Sequence, residues 1–224
     1  MSTINLGPVE SPFLPTTTAS SRFRLGELAE RATGFLLLAL SSPVIATSAL
    51  AVAALSRRSP FVAHLRVGKD GREFWVLKLR TMWTADCPSP SERGWIERVI
   101  AEPAGDEKAA SDPRISSRFA AFCRRHSIDE FPQLWHVASG AMSLVGPRPL
   151  TRSELVRHYG LRTAELLAVK PGITGLWQVY GRSAIRFPER SAMDLALVRS
   201  LTPAMYLKIL LRTLPEVIFG KNAW

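Results

Sequence analysis

A long apolar run covers residues 32–55, which include no charged side chain. Leu, Ala, Val, Ile and Phe dominate this run; Arg31 precedes it, and Arg57 and Arg58 follow it. A helix of about 20 apolar residues is long enough to cross the hydrocarbon core of a bilayer, which is ~30 Å thick. The pattern therefore predicts a helical segment that enters a membrane.

The path of this segment through the membrane has several interpretations. A cleaved signal peptide is disfavoured because the preceding tail is too long for a normal n-region. A straight transmembrane helix is disfavoured because Ser42 and Pro43 stand at its centre, where proline removes a backbone hydrogen bond. Basic residues also flank both ends, whereas a spanning segment has its positive excess on one side. A helix-break-helix hairpin that returns to the cytoplasmic face explains both facts, and a buried helix of a globular core stays an alternative.

These patterns divide the chain into three parts. Residues 1–28 are rich in Ser, Thr and Pro and predict a disordered tail. Residues 29–58 form the predicted re-entrant hairpin, and residues 59–224 form a cytoplasmic domain.

The cytoplasmic domain is predicted to be α/β but mostly helical. Strands are expected at residues 61–64 and 74–80, because Asp70-Gly71 between them is a typical hairpin turn. Helical periodicity indicates several short helices, some amphipathic and suited to a membrane interface. They are expected at residues 95–100 (inside a polar loop over 84–110), 119–125, 133–141, 152–168 and 204–219, the last broken at Pro215.

The charge balance narrows the class of partner. The formal net charge is +10, which favours an anionic partner such as nucleic acid, an acidic membrane surface or a phosphorylated substrate. The basic residues are scattered and only three Tyr occur, so a nucleic-acid partner is not expected. Cys87 and Cys123 lack the spacing of a disulfide framework or zinc site, so both are expected to be reduced thiols.

An adjacent acidic pair, Asp129 and Glu130, is the first candidate for chemistry. Ser127 and Glu130 match a helix capping box, which is a purely structural interpretation. Pro132 favours a helix that starts near Asp129, because proline is tolerated only in the first turn. Asp129 would then lie in the positive field of the helix N-terminus, where an ionised carboxylate suits a nucleophile, and Glu130 would suit a Mg²⁺ ligand. From spacing alone, both interpretations remain open.

Several cations accompany this pair. Arg148 lies between Pro147 and Pro149, which stiffen the backbone and suit a pre-positioned phosphate contact. Lys78 and Arg80 share one face of a strand, because side chains alternate. For each of these three residues, the alternative interpretation is a solvated cation on the protein surface.

Two further elements have anion-binding character. Arg124 precedes the acidic pair and could contact a diphosphate or lipid head groups. Residues 170–182 form a glycine-punctuated loop that contains Gln178 and Arg182; it could cradle a phosphate or simply connect two elements. Together with Arg148 and the Lys78 strand, these elements favour an anion site.

In their order and spacing, the motifs of this chain resemble those of the bacterial sugar transferases known as monotopic phosphoglycosyl transferases. This family includes undecaprenyl-phosphate hexose phosphate transferases of exopolysaccharide assembly. The resemblance runs from about Arg31 to Thr213. It rests on Ser42-Pro43, Arg66-Val67-Gly68-x-x-Gly71, Lys78-Leu79-Arg80-Thr81-Met82, Asp112-Pro113-Arg114, Ser127-x-Asp129-Glu130-x-Pro132-Gln133-Leu134, Met142-Ser143-Leu144-Val145-Gly146-Pro147-Arg148-Pro149 and Pro171-Gly172-Ile173-Thr174-Gly175-x-x-Gln178-Val179-x-Gly181-Arg182.

The resemblance implies a reaction and its participants. The aspartate at position 129 would attack the sugar-bearing phosphorus of a nucleotide diphosphate sugar, and undecaprenyl phosphate would then accept the sugar phosphate from Asp129. Glu130 would belong to the Mg²⁺ site together with Asp129, while Arg124 and Arg148 would handle phosphate. The implied location is the cytoplasmic face of a bacterial inner membrane, in contact with membrane lipid. The sugar and the nucleotide stay open, with UDP-glucose or UDP-galactose expected from relatives, and so does the oligomeric state, a homo-oligomer included.

The chain departs from the family pattern at three positions. Ala120 stands where glycine is usual, Leu197 replaces a tyrosine and Tyr206 replaces an aspartate. Asp194 keeps the acidic position of its motif and is retained as a substrate-site candidate. These departures spare the reacting groups, and a non-catalytic membrane scaffold for polysaccharide assembly is the alternative function.

Overall fold

The computed structural model describes residues 21–83, 95–100, 117–181 and 184–220. These residues are mostly helical, as predicted, and they form two small sheets where the sequence predicted one β-hairpin. The helices are α1 (Ser21–Ser56), α2 (Arg118–Arg125), α3 (Leu134–Ser139), α4 (Arg152–His158), α5 (Thr163–Leu166), α6 (Leu176–Tyr180), α7 (Phe187–Ser200) and α8 (Pro203–Phe219), with 3₁₀ helices at Lys69–Gly71, Ile128–Gln133 and Gly160–Arg162. The strands are β1 (Phe61–Val67), β2 (Glu73–Leu79), β3 (Ile96–Val99), β4 (Ser143–Val145) and β5 (Gly172–Thr174).

Helix α1 contains the apolar run and is continuous through Pro43. Pro43 has no N–H to donate to the carbonyl of Ala39, and the Ser42 hydroxyl donates to that carbonyl instead, at 2.8 Å. The predicted interruption at Ser42 and Pro43 is therefore wrong at the level of secondary structure, because a side-chain hydrogen bond bridges the gap in the ladder. The helix also begins at Ser21, inside the predicted tail; residues 1–20 lie outside the described residues.

The polar N-terminal part of α1 is held against the domain by directional bonds. Glu30 accepts hydrogen bonds from the backbone N–H of Leu144 at 2.8 Å and from the hydroxyls of Ser143 and Tyr206. The Arg31 Nε donates to the Ala138 carbonyl at 3.1 Å. Tyr206, one of the departures from the family pattern, thus has a partner on α1.

Apolar packing continues the contact along α1. Gly34 lies so close to α3 that an added Cβ would be 2.7 Å from Val137 Cγ1. Towards the other end, Ala49 and Val52 are buried, and Ala49 packs in a cluster with Leu79. Both ends of the apolar run therefore contact the same globular domain. The helix is long and apolar enough to cross a membrane, and its exposed apolar side chains are Phe35, Leu36, Leu37, Leu40, Val44, Leu50 and Leu55.

The predicted β-hairpin is confirmed. Strands β1 and β2 pair antiparallel, from Phe61 opposite Leu79 to Val67 opposite Glu73. Asp70 and Gly71 have φ values of 57° and 76°, the left-handed conformation that the turn requires and that Asp and Gly tolerate.

The predicted short helix at residues 95–100 is wrong, because this segment forms strand β3, which pairs parallel to β1. β2 occupies only one edge of β1, so the other edge offers unpaired backbone groups to a neighbouring segment. Tertiary pairing then overrides local preference. The remainder of the predicted loop, residues 84–94 and 101–110, lies outside the described residues.

Two helices differ from the prediction in where their backbone is interrupted. The segment over residues 152–168 is divided into α4, a 3₁₀ turn and α5, because Gly160 has a φ of 50° and interrupts the helical backbone. Conversely, α8 continues through Pro215 instead of breaking there. Helix α7 is a further element that apolar periodicity left unpredicted.

The Gly-Pro-Arg-Pro loop and the Pro171-Gly172 loop cross in backbone-to-backbone contact. Strands β4 and β5 pair parallel just before the crossing, with Ser143 opposite Gly172. A Cβ added to Gly172 would lie 2.1 Å from the Gly146 backbone nitrogen. Two motifs distant in sequence are therefore one structural unit, and that unit positions Arg148.

We expect Gly172→Ala to lower the free energy of unfolding by about 2–3 kcal/mol, because the obstructing atoms belong to the backbone and cannot rotate away. Denaturant unfolding in detergent micelles measures this loss. Gly26→Ala is the matched control, since an added Cβ there meets nothing within 4 Å. Equal stability of the two variants would contradict the crossing.

A partly buried histidine, His136, connects α3 to the sheet, and its pKa is expected to make stability depend on pH. The Leu77 N–H donates to His136 Nε2 at 3.1 Å, and burial lowers the pKa of His136 from 6.5 to about 4. The unfolded chain therefore binds the proton first, and stability falls as pH drops from about 6.5 towards 4.

We expect the thermal unfolding midpoint to fall between pH 7 and pH 5, with a loss of roughly 1–2 kcal/mol per buried histidine. His136→Gln keeps an acceptor but does not titrate, so its midpoint should fall less over the same range. A variant as pH-sensitive as the wild type would show that His136 does not carry this dependence.

Candidate active site

The acidic pair lies in the 3₁₀ helix Ile128–Gln133, between α2 and α3. Ser127 has a φ of 55° and makes no side-chain capping bond, so the capping-box interpretation is wrong. Pro132 falls within the 3₁₀ segment, and the α-helix proper starts only at Leu134. Asp129 and Glu130 therefore occupy the first turn of a short helix, and their position depends on packing instead of a cap.

Two cations converge on this pair. The Lys78 Nζ lies 2.8 Å from Glu130 Oε1 and 3.8 Å from Asp129 Oδ2. The Arg148 guanidinium approaches Glu130 Oε1 at 4.0 Å. Asp129 is buried, whereas the other three side chains are partly exposed. The site thus places two carboxylates and two cations together in a partly open position, as predicted from their separate motifs.

Asp129 also lies beside residues that pack against α1. Burial, and next the charge of Asp129, raise the pKa of the Cys123 thiol to about 11. Cys123 packs with Ala49 of α1 and with Ile128, the neighbour of Asp129. The Asp129 carboxylate is therefore near the C-terminal part of α1.

Arg148 faces a second group of side chains around Trp177. The Arg148 and Arg190 guanidinium carbons lie 5.9 Å and 4.7 Å from the centre of the Trp177 ring. Such cation–π contacts restrain the arginine side chains. Behind them, Asp194 is only 1% exposed and accepts a hydrogen bond from the Tyr159 hydroxyl at 2.8 Å.

Asp194 has an unusual protonation behaviour. Burial raises the pKa of its carboxyl to about 7, although the Tyr159 hydrogen bond and the charges of Arg148 and Arg190 act in the opposite direction. The Asp194 carboxyl is buried away from solvent in this structure. It supports the arginines from behind and does not line the open site.

The remaining predicted residues have different surroundings. Arg80 is buried, pairs with Glu97 and donates from Nε to the Ser59 carbonyl at 2.8 Å. Arg124 is partly buried in the last turn of α2. Gln178 lies in α6 with its side-chain oxygen buried. Arg182 and the Asp112-Pro113-Arg114 motif lie outside the described residues.

Sequence reasoning missed several neighbours of the site. His64 and Arg66 lie on β1, and Tyr159, Trp177 and Arg190 surround Arg148 or Asp194. The hairpin turn could have revealed the first two, because it sets the register and so the face that each residue shares with Lys78. The others come together only through packing of distant helices.

The acidic pair has the donor chemistry that Mg²⁺ prefers. Within the described residues no group of three or more His, Cys, Asp or Glu side chains could hold a metal ion. Mg²⁺ is commonly bound by one or two carboxylates together with substrate phosphates. Asp129 and Glu130 fit that mode.

Comparisons with known proteins identify the family of the chain. The family model described as bacterial sugar transferase matches residues 22–220. A UDP-galactose-lipid carrier transferase of Erwinia amylovora is 40% identical over 168 residues, which cover 74% of this chain and 35% of the relative. The exopolysaccharide production protein ExoY of Rhizobium meliloti is 31% identical over 217 residues, covering 95% of each chain.

A third relative is intermediate in length. The UDP-glucose:undecaprenyl-phosphate glucose-1-phosphate transferase of Caulobacter vibrioides is 33% identical over 220 residues, covering 94% of this chain and 75% of the relative. The chain thus spans about a third of the Erwinia protein but nearly all of the Rhizobium protein. Because the family match covers nearly the whole sequence, including the acidic pair and both crossing loops, the chain belongs to the bacterial sugar transferase family.

Proposed function

We propose that this protein transfers a sugar 1-phosphate from a nucleotide diphosphate sugar, UDP-glucose or UDP-galactose, to undecaprenyl phosphate. The reaction would begin the assembly of an exopolysaccharide or another surface glycan at the cytoplasmic face of the bacterial inner membrane. The observation that carries the proposal is the convergence of Lys78 and Arg148 on the Asp129–Glu130 pair beside the membrane helix. The names of the Erwinia and Caulobacter relatives support the substrate classes.

In the first step, an Asp129 carboxylate oxygen attacks the phosphorus that bears the sugar. A new acyl phosphate bond forms, and the bond to the bridging oxygen of the diphosphate breaks, releasing the nucleoside monophosphate with that oxygen. Lys78 and Arg148 are suited to offset the charge of the phosphoryl oxygens. Asp129 and Glu130 also offer oxygen ligands for Mg²⁺, which when bound neutralises charge on the diphosphate.

In the second step, a phosphate oxygen of undecaprenyl phosphate attacks the same phosphorus. The acyl phosphate bond breaks, Asp129 is regenerated as a carboxylate, and the product is a polyprenyl diphosphosugar. This step requires the lipid phosphate at the depth of the site. The packing of Cys123 and Ile128 against α1 supports such a position, because it places Asp129 beside the apolar helix.

The arrangement of α1 supports a location on one face of the membrane. Glu30 and Arg31 attach its first part to the domain, and Ala49 and Val52 bury its later part in the same domain. A straight transmembrane helix would carry these two regions to opposite sides of the bilayer. We therefore propose that α1 enters and leaves by the cytoplasmic face, as a re-entrant helix with its exposed apolar side chains in lipid.

Asp129→Asn is expected to abolish both lipid-linked product and covalent phosphosugar adduct, because an amide is a poor nucleophile. The measurement uses a radiolabelled UDP-sugar and undecaprenyl phosphate, with label followed in the lipid fraction and on the protein. Asp70→Asn is the control, since Asp70 is exposed at the hairpin turn. Substantial turnover by Asp129→Asn would rule out this nucleophile, and wild-type protein that never labels lipid would favour a non-catalytic scaffold.

The membrane topology has its own test. Epitope tags at the two ends of the chain, probed with protease in inside-out and right-side-out vesicles, should both be accessible only from the cytoplasmic face. A Pro43→Ala variant should lose part of this orientation if proline is needed to bend the helix in lipid. A C-terminus outside the cytoplasm in the wild type would overturn the re-entrant arrangement.

A further inference from the structure

One face of the hairpin continues the cationic site beyond Lys78. Val62 pairs with Lys78 in the antiparallel register of β1 and β2. Directly paired residues point to the same side of the sheet, and so does every second residue along a strand. His64 and Arg66 therefore share a face with Lys78, and they extend from it along β1.

Arg148 connects this row to the acidic pair. Its guanidinium lies 4.0 Å from Glu130 Oε1, and its charge also acts on His64 and on Arg66, lowering the pKa of both after the larger effect of burial. Along β1, His64 and Arg66 therefore follow the position opposite Lys78, and the charge of Arg148 acts on both of them.

Arg66 is a partly buried cation: burial lowers the pKa of its guanidinium, the charge of Glu154 acts in the opposite direction, and the charge of Arg148 lowers the pKa further. The one hydrogen bond of its side chain to the described residues runs from a terminal nitrogen to the Leu65 carbonyl at 3.4 Å, and the side chain forms no ion pair with those residues. The nearby carboxylate of Glu154 is engaged elsewhere, because it accepts from the Thr151 N–H at 2.8 Å in the capping box of α4. A half-buried guanidinium beside a second guanidinium is stabilised when an anion lies between them.

His64 adds an uncharged hydrogen-bonding group to this surface. Burial, then the charges of Arg66, Lys78, Arg148 and Arg80, lower the pKa of His64 to about 4. Its ring makes no hydrogen bond with the part of the chain that the structure describes. The ring can therefore hydrogen-bond to a ligand at neutral pH without adding charge.

We propose that Arg66, together with Arg148 and His64, binds the phosphate of the nucleoside monophosphate that leaves in the first step. The inference rests on the proposed function, because it places the attacked phosphorus at Asp129 and Lys78 and the second phosphate of the diphosphate next along the row. It also assigns to Arg66 the part that the sequence suggested for Arg80, which is held instead by Glu97 and the Ser59 carbonyl.

The test uses the full chain in lipid nanodiscs, with Arg66→Gln, Arg66→Lys, His64→Ala and a matched control, Arg72→Gln. Arg72 belongs to the same hairpin but is exposed, so the control removes an equal charge away from the site. Binding of uridine monophosphate is measured by calorimetry, and KM is measured separately for the UDP-sugar and for undecaprenyl phosphate. Circular dichroism identifies any variant that fails to fold.

Arg66→Gln should weaken binding of uridine monophosphate, and raise KM for the UDP-sugar, by about ten- to a hundredfold, as expected for a lost charge-assisted contact. KM for undecaprenyl phosphate should be unchanged. Arg66→Lys should show a smaller loss because it keeps the charge without the planar fork, and His64→Ala should also weaken the nucleotide. If Arg66→Gln does not fold, the proposal is tested by the uridine monophosphate affinities and the KM values for the UDP-sugar of Arg66→Lys and His64→Ala.

The outcomes separate this inference from the proposed function. Wild-type transfer with Arg66 variants that bind nucleotide as well as Arg72→Gln would overturn the inference and leave the function intact. Absence of transfer by the wild type, with uridine monophosphate binding that still depends on Arg66, would overturn the function and retain the phosphate subsite. An effect of Arg66→Gln on KM for undecaprenyl phosphate alone would assign Arg66 to the acceptor and refute the proposal.

Discussion

The contact of Lys78 with the acidic pair joins the two halves of the site. Lys78 belongs to the sheet, whereas Asp129 and Glu130 belong to a short helix that carries no capping bond of its own. Two carboxylates side by side, one of them buried, repel each other unless a cation lies between them. The ammonium group of Lys78 supplies that compensation and connects the helix to β2. Arg148 adds a second cation, which approaches the same oxygen of Glu130.

The position of Arg148 depends on a different constraint, which is the close approach of two backbone segments. Gly146 and Gly172 allow two backbones to approach more closely than any side chain would permit. The crossing brings the Gly-Pro-Arg-Pro loop beside α6, whose Trp177 ring is contacted by the guanidinium groups of both Arg148 and Arg190. Asp194 and Tyr159 form a buried hydrogen-bonded pair behind this layer. Close backbone packing and the contact with Trp177 therefore position Arg148 near Glu130.

Packing of α1 relates this chemistry to lipid. The helix presents a row of exposed apolar side chains on one side and buries Gly34, Ala49 and Val52 on the other. Small residues at those contacts let the helix approach the domain closely. The same cluster that receives Ala49 includes Cys123 and Ile128, so the depth of Asp129 relative to the apolar helix follows from core packing.

Local chemistry made several features predictable from the sequence. The apolar run, the Asp70-Gly71 hairpin and the end of α3 at Gly140 follow from residue type and short-range spacing. The candidate residues Asp129, Glu130, Lys78 and Arg148 were found in the same way. Strand β3 was missed, because its conformation depends on an open edge of β1 that is distant in sequence. The division at Gly160 and the continuity of α1 through Pro43 depend on a single dihedral angle and a single hydroxyl, which periodicity does not report.

By itself the sequence determined which groups are available: a carboxylate pair, arginines on stiff loops, and an apolar helix with cations at both ends. Only the tertiary structure decided which of these groups meet. It directed Arg80 to Glu97 and Asp194 to a buried place behind Arg148, and it set Arg66 on the face of Lys78. The physical reason is that charge and residue type are local properties, whereas desolvation, strand register and backbone approach depend on segments far apart in the chain.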